Sequence, residues 1–538
     1  MHGAGLPITN YPLNPLNPVC KKSLPISLSL LVTGALLLLS AGLTPKPPTQ
    51  AAPQRPNIIF IISDDHTQQA IGAYGNRLSK TPNIDRLARE GAMLYNNVVA
   101  NSICGPSRAT LLTGKYSHQN GFKTNNGGVI FEVNQPVFTE NLQKNGYQTA
   151  WIGKMHLGTL PNGFDYLNVL PGQGEYYNPD FIDSQNKTTR HPGYVSDVVT
   201  QLSTDWLARR DPSKPFMMVV GHKATHRVWE PSIEDLGAYD DVTFPLTPTF
   251  YDDYKGRVAA QNQDMTIDKT MRLKEDLKVH LNYDAMKRLS PEQKAALYDY
   301  YEKKVSREFD EKKLSGKALV EWKYQRYMRD YLSTANSLDR NIGKLLDYLD
   351  TSGLAKNTVV IYASDQGFYL GEHGWFDKRF IYEESLKTPF IIRYPGVVKP
   401  GMKVQGLVSN VDWAPTVLNL AGTDVPDYMA GRSFLSLLTG AKKAIRDGAY
   451  YHYYEYPVDH HVYPHFGLRS PRYTLARFYG PASFWELYDI QKDPHNLTNL
   501  YGKKGYEKIT ADLKKQLKGE IERYKDNEAL ALFTDGTR

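Results

Sequence analysis

Two oxygen-rich pairs end two apolar runs of the chain. Asp64 and Asp65 follow the run 57–62, and Asp365 and Gln366 follow the run 358–363. Carboxylate oxygens are hard ligands, so the adjacent pair Asp64 and Asp65 at a strand end would suit Ca2+ or Mg2+. Magnesium demands stricter octahedral geometry, which favours calcium. Zinc is disfavoured, because no set of Cys and His has suitable spacing. Cys104 stands in Ser102-Ile103-Cys104-Gly105-Pro106-Ser107-Arg108, ahead of an expected helix over 107–113. The N-terminus of that helix would aim amide groups and a positive dipole at the cysteine and at any bound anion. Lys154 and His156 lie two apart after another apolar run. In extended backbone they would share a face, one offering positive charge and the other a proton shuttle near neutral pH. His222 and His226 follow a further run, and Asp377, Lys378 and Arg379 set opposite charges side by side.

These residues need strands to hold them. The run 57–62 is continuous, apolar and β-branched, as expected for a strand buried on both faces, and 147–152, 214–221, 358–363 and 389–396 read as further strands. Several end in a polar residue of interest, and the carboxyl ends of strands are where α/β sheets place ligand sites. Helices are expected from Pro82, with Thr81 as N-cap, over 194–209, from Trp322 to Asp350 with Ser352-Gly353 as the stop, and from Val411 towards Gly422. The stretch 230–320 reads as a helical insertion, Lys/Glu-rich around 283–312. Short strand-like runs between 450 and 488 and a closing helix over 501–524 form a second unit. The expected architecture is α/β: a large, mixed but mostly parallel sheet between helices over 55–435. A smaller α+β subdomain with an antiparallel sheet occupies 440–538.

Length and composition suit a soluble globular chain: 538 residues, 41% apolar and 22% charged. Residues 1–52 read apart from the fold. Lys21-Lys22 precede an uncharged stretch over 23–45, followed by small residues and Pro, the pattern of a signal peptide. An uncleaved anchor is the alternative, but Pro25, Ser27, Ser29 and Thr33 interrupt the apolar run. The long lead before the lysines points to a true start downstream of Met1 or to an extended leader. Residues 1–52 carry three Lys and no acidic residue, so their removal takes the formal charge from +7 to +4. That excess, without a basic run interleaved with aromatics, gives no sign of nucleic-acid binding. Membrane contact is expected only through the export segment. Loss of Cys20 with it leaves Cys104 as the lone thiol of a periplasmic or secreted protein, which cannot form an internal disulfide. The 37 tyrosines offer faces for stacking on sugars, although Tyr is also a core residue.

Cys104, Pro106, Ser107, Arg108, Thr113 and Gly114 match C-x-P-S-R-x-x-x-x-T-G, and 146–156 match G-Y-x-T-x-x-x-G-K-x-H. With these two signatures the chain resembles the type I sulfatases over about 56–431. The resemblance implies an alkaline-phosphatase-like fold. It also implies conversion of Cys104 to formylglycine by a formylglycine-generating or sulfatase-maturating enzyme. A hydrated aldehyde has two hydroxyls on one carbon: one attacks the sulfate ester, and the other later expels sulfate, splitting one hard step into two. In the family pattern Asp64, Asp65, Asp365, Gln366 and an oxygen of converted Cys104 hold the metal. Arg108 holds the nucleophile or the metal-side carboxylates, Lys154 and Lys378 bind sulfate, and His156 shuttles a proton. His226 is the general acid at the leaving oxygen. The family often has Pro before this histidine and the chain has Thr225, which leaves His222 as a competitor. Asp377 and Arg379 are candidates for sugar recognition. The segment 489–497 resembles a C-terminal sulfatase motif with Asn496 standing near its usual Glu.

The expected reaction is hydrolysis of a sulfate ester on a carbohydrate. The stretches 365–379 and 451–473 look most like bacterial enzymes for 6-O-sulfated N-acetylglucosamine and mucin-type glycans. Similar stretches occur in enzymes for sulfated algal polysaccharides. That choice is analogy. Two other classes stay open: a phosphoesterase of the same superfamily, which would favour a Ser or Thr nucleophile and more His ligands, and a non-catalytic glycan-binding relative with unmodified Cys104.

Overall fold

Apolar runs of the sequence become neighbouring strands of one sheet in the computed structural model, which describes residues 55–534 apart from 77 and 127. The expected export segment, 1–52, lies outside the described residues. The sheet contains β1 (Asn57–Ser63), β2 (Ala92–Leu94), β3 (Gln148–Lys154), β4 (Tyr166–Leu170), β5 (Asp180–Asp183), β6 (Thr188–Arg190), β7 (Phe216–Gly221), β8 (Thr358–Ser364), β9 (Phe390–Arg393) and β10 (Met402–Val404). Its order is β10-β2-β9-β8-β1-β7-β3-β4-β5-β6. The five central strands β8-β1-β7-β3-β4 run parallel, and antiparallel pairs flank them. Ile58 to Ile62, Met217 to Val220 and Val359 to Ala363 have no solvent exposure. Both faces of these strands are therefore covered, which is why they read as unbroken apolar runs. Each large side chain so buried contributes about 1.5–3 kcal/mol.

Two glycines let the carboxyl ends of β3 and β7 converge. Gly153 has φ 95°, and a Cβ there would sit 2.0 Å from the Gly221 carbonyl oxygen. A Cβ on Gly221 would meet the Lys154 carbonyl oxygen at 2.1 Å. No other residue allows this approach.

The helices that cover the sheet are α1 (Pro82–Glu90), α2 (Cys104–Thr113), α3 (Val195–Arg209), α4 (Gly316–Thr351) and α5 (Trp413–Leu420). Three expectations change. Cys104 is the first residue of α2 rather than lying ahead of it, with Ile103 in extended backbone as the cap. The long helix α4 begins at Gly316, not at Trp322; its first turns, which include Ala318, Leu319 and Val320, lie outside the buried face, which starts at Lys323. Residues 230–290 are mostly irregular, with only short turns and the helix Val258–Asn262; continuous helix runs only over 291–312. Pro231, Pro245 and Pro248 remove backbone donors there. Ion pairs hold the segment instead: half-buried Arg227 with buried Asp276 at 2.7 Å, and Lys278 with Asp330, both buried, at 3.1 Å.

The chain's end forms an antiparallel sheet in sequence order: β11 (Ala449–Tyr453), β12 (His465–Arg469), β13 (Tyr473–Phe478) and β14 (Phe484–Asp489). Helix α6 (Glu507–Tyr524) packs Leu513, Leu517 and Ile521 into a cluster with Leu468, Leu475 and Val411. On the other side Tyr451, Tyr453 and Phe478 share a core with Ile103 and Ile381. The sheet is thus a subdomain of one compact unit, Gln54–Arg538. Among the described residues, no helix is long and apolar enough to cross a membrane.

Candidate active site

The carboxyl ends of β1 and β8 are adjacent, with Ser63 paired to Ser364. The residues after them therefore meet. Carboxylate oxygens of Asp64, Asp65 and Asp365 lie within 4.8 Å of one another, and all three residues are fully buried. The Gln366 amide reaches Asp65 at 2.6 Å through Nε2, while its Oε1 is buried without a partner. Tyr331 of α4 donates to the Asp65 carbonyl at 2.7 Å and fixes this turn from behind.

Three buried carboxylates so close together require countercharge. Each has one cation. Arg108 Nε donates to Asp365 Oδ2 at 2.9 Å, Lys154 Nζ contacts Asp64, and Lys378 Nζ donates to Asp65 Oδ2 at 2.8 Å. Burial pushes Asp65 up to about 6, with Asp365 and Asp377 adding to the shift and Lys378 opposing it. Burial presses Lys154 well below the ordinary lysine value, aided by Lys223. Burial would also lower Lys378, but Asp65 and Cys104 override it and hold its ammonium above the usual range.

Cys104 Sγ lies 3.2 Å from Asp64 Oδ1 and 3.6 Å from Gln366 Nε2. Burial pushes its thiol up to about 12, so the unmodified side chain is a neutral thiol rather than a thiolate nucleophile. Ser107 donates from Oγ to the Asp365 carbonyl at 2.5 Å, and Arg108 Nη1 donates to the Lys154 carbonyl at 2.7 Å. The motif side chains thereby join α2 to β3 and β8.

His226, not His222, shares the site: an atom of its ring lies within 4.8 Å of Asp64 and Cys104. Burial lowers its pKa far below the ordinary value, followed by Lys154, Lys378 and Lys223. His222 is fixed by its backbone N–H on Ile62. Thr225, which stands where the family often has Pro, donates its N–H to the Asp64 carbonyl at 2.6 Å and its hydroxyl to the Asp65 carbonyl at 3.1 Å. A proline could supply neither bond.

The shared face expected for Lys154 and His156 is corrected. β3 ends at Lys154, and His156 has φ 59°, so strand alternation does not carry past the glycine-bent end. His156 still lies among the site's cations: burial first, then Lys154 and Arg108, holds it neutral. Asp377 and Arg379 flank Lys378 with φ 80° and 92°. They pair with each other at 3.1 Å, and His460 Nε2 approaches Asp377 Oδ2 at 3.3 Å. His460 stands in a Tyr-rich stretch of the sequence and belongs to neither signature.

Other supporting residues carried no motif. Gln173 Oε1 accepts from Lys154 Nζ at 2.5 Å, and its carbonyl accepts from Lys223 at 3.2 Å. Asn410 donates to Ser107 at 2.9 Å, and Glu455 accepts from Arg379 at 2.5 Å. A carboxylate or amide directly after one of the central apolar runs was the usable signal, and none of these three has it.

The donor set fits a hard divalent cation. Three buried carboxylates converge, and the Gln366 amide stands beside Asp65 with its oxygen buried and unpartnered, which costs about 1–3 kcal/mol.

Comparisons with known proteins agree with this geometry. The sulfatase family model matches residues 56–423, and a model described as N-sulphoglucosamine sulphohydrolase, C-terminal, matches 371–523. An N-acetylglucosamine-6-O-sulfatase of Bacteroides thetaiotaomicron is 44% identical over 499 residues, covering 89% of each chain. An ulvan-active sulfatase of Formosa agariphila is 26% identical, covering 88% of this chain and 82% of its own. A structure solved in complex with its substrate D-glucosamine-2-N,6-O-disulfate has TM-score 0.85 at 44% identity, covering 88% of this chain and 99% of that one. The fold is alkaline-phosphatase-like. With the family model spanning most of the chain and the motif residues gathered at one strand-end pocket, the protein belongs to the sulfatase family and is a sulfuric ester hydrolase.

Proposed function

We propose that the enzyme removes the 6-O-sulfate of N-acetylglucosamine or a closely related amino sugar: sulfate ester plus water gives alcohol plus sulfate. The supporting observation is the ring of Arg108, Lys154, Lys378 and His226 around Cys104 and four oxygen donors. The sugar follows from the relatives. One is an N-acetylglucosamine-6-O-sulfatase, and the other is bound to a glucosamine sulfated at N2 and O6.

Asp64, Asp65, Asp365 and Gln366 would hold Ca2+, which supplies positive charge where sulfate oxygens gather. Formylglycine, made from Cys104 by a maturation enzyme, supplies a hydroxyl nucleophile. Around it, Lys154 and Lys378 bind the sulfate oxygens, and Arg108 holds Asp365 in place. His226 sits on the side of Asp64 and Cys104; its imidazolium, favoured once a bound sulfate offsets the charge of Lys154 and Lys378, gives a proton to the departing sugar oxygen, and His156 accepts one on the nucleophile's side. Asp377 and Arg379, with His460, meet sugar hydroxyls. The chain is made with a signal peptide and works in the periplasm or outside the cell.

The test is sulfate release by protein produced with its maturation partner, from 6-O-sulfo-N-acetylglucosamine and from sulfated algal oligosaccharides. Release from the amino sugar supports the proposal. Release only from the algal panel overturns the sugar and favours the reading that the ulvan-active relative suggests.

A further inference from the structure

The loop that carries Lys378 is shaped by a residue from the other end of the chain. Glu455 lies two positions beyond β11 and is 2% exposed. Its Oε2 accepts from Arg379 Nη1 at 2.5 Å. Its Oε1 accepts from the Thr124 hydroxyl at 2.8 Å and from the Asn125 N–H at 2.6 Å. Asn125 in turn accepts, through Oδ1, from the N–H of Gly105 at 3.1 Å, and Gly105 follows Cys104 in the first turn of α2. One buried carboxylate therefore joins the recognition loop, the 124–125 turn and the nucleophile helix.

Arg379 needs such a partner. Its φ of 92° belongs to the left-handed region, which an arginine adopts only when its surroundings fix it. The Tyr451 hydroxyl holds its carbonyl at 2.5 Å, Asp377 takes Nε at 3.1 Å, and Glu455 and Tyr453 take Nη1. Among the described residues no hydrogen bond reaches Nη2. With Nε and Nη1 committed, the planar guanidinium has one orientation, and Nη2 is the nitrogen left for a ligand.

We infer that Glu455 is a positioning residue: it sets the Arg379 guanidinium in the orientation that reads the sugar, and through Asn125 it ties that loop to the first turn of the nucleophile helix. This rests on Arg379 meeting the sugar, as proposed above. It gives the C-terminal subdomain a part in substrate selection beyond closing the fold.

The experiment is a double-mutant cycle of Glu455→Gln and Arg379→Met on whichever panel sugar the wild type desulfates. Failure with the amino sugar thus counts against the substrate, and the cycle counts for or against Glu455. Glutamine keeps an acceptor for Thr124 and Asn125 but loses the charge facing Arg379. E455Q is expected to lower kcat/KM by about tenfold to a hundredfold, carried mainly by KM. In the R379M background it should add less than about threefold. Glu455→Asp, which keeps the charge one methylene shorter, should fall between wild type and E455Q, and it carries the cycle if E455Q fails to fold. Losses that multiply in full, a fall in kcat at constant KM, or a lower Tm with unchanged kinetics would each overturn the inference.

Discussion

Asp365→Asn tests the metal pocket through stability, without need of a substrate. In the wild type, calcium at about 100 times its Kd should stabilise the fold by about 2.7 kcal/mol. Unfolding entropy of about 2.1 cal/mol/K per residue, over roughly 480 ordered residues, is about 1 kcal/mol/K. The melting temperature should therefore rise by about 3 °C. The substitution does two things. It leaves Arg108, fully buried, without the carboxylate that meets its Nε and Nη2 at 2.9 Å. Removing one partner of a buried pair costs about 3–5 kcal/mol, or about 3–5 °C in the metal-free protein. It also removes one of three clustered carboxylates. If affinity falls a hundredfold, the same calcium concentration contributes only RT ln 2, about 0.4 kcal/mol, a shift of under about 1 °C. Asp347→Asn, an exposed charge paired to Arg86, should keep the full shift. The assay is thermal melting in chelator and in calcium. A wild type indifferent to calcium, or a D365N protein that retains the whole shift, would refute the assignment of the pocket.

Peptide mass spectrometry of protein made with its maturation partner should show the Cys104 peptide lighter by about 18 Da, the bond arithmetic of thiol to aldehyde; an unmodified thiol together with sulfate release would reject the nucleophile. His226→Gln should slow release from a sugar alcohol by about a hundredfold to ten-thousandfold, and should slow a phenol-leaving substrate much less, because only the poor leaving group needs the proton; equal losses would remove His226 as the general acid. Glu486 is buried among aromatic rings, and burial raises it from 4.5 to about 7 against the hydrogen bonds of Tyr488 and Tyr382. The folded state therefore holds its proton longer than the unfolded state. That stability is fully present below pH 4.5, falls between pH 4.5 and 7, and is lost above, about 3 kcal/mol in all. Glu486→Gln should melt about 3 °C above wild type at pH 8 and level with it near pH 4, and a constant difference between the two pH values would contradict the shift.

The sequence by itself determined the sheet and the chemistry at its strand ends. Short unbroken apolar runs rich in β-branched residues read as strands covered on both faces, so 57–62, 214–221 and 358–363 were legible, and so were the carboxylates that follow the first and the last of them. The fixed offsets around Cys104 and Lys154 named the family before any geometry. These signals are local, carried by neighbours along the chain. Tertiary structure decided what local pattern does not encode. It chose His226 over His222, because the chain turns after β7 and the hydrogen bonds of Thr225 seat that turn on Asp64 and Asp65. It placed His156 beyond a strand that ends at Lys154. It held the 230–290 segment with ion pairs rather than helical periodicity. It also brought Glu455 to Arg379 and Gln173 to Lys154. A glutamate 76 residues from its arginine leaves no periodic trace, because a buried charge acquires its partner only when packing excludes water and the two groups must satisfy each other.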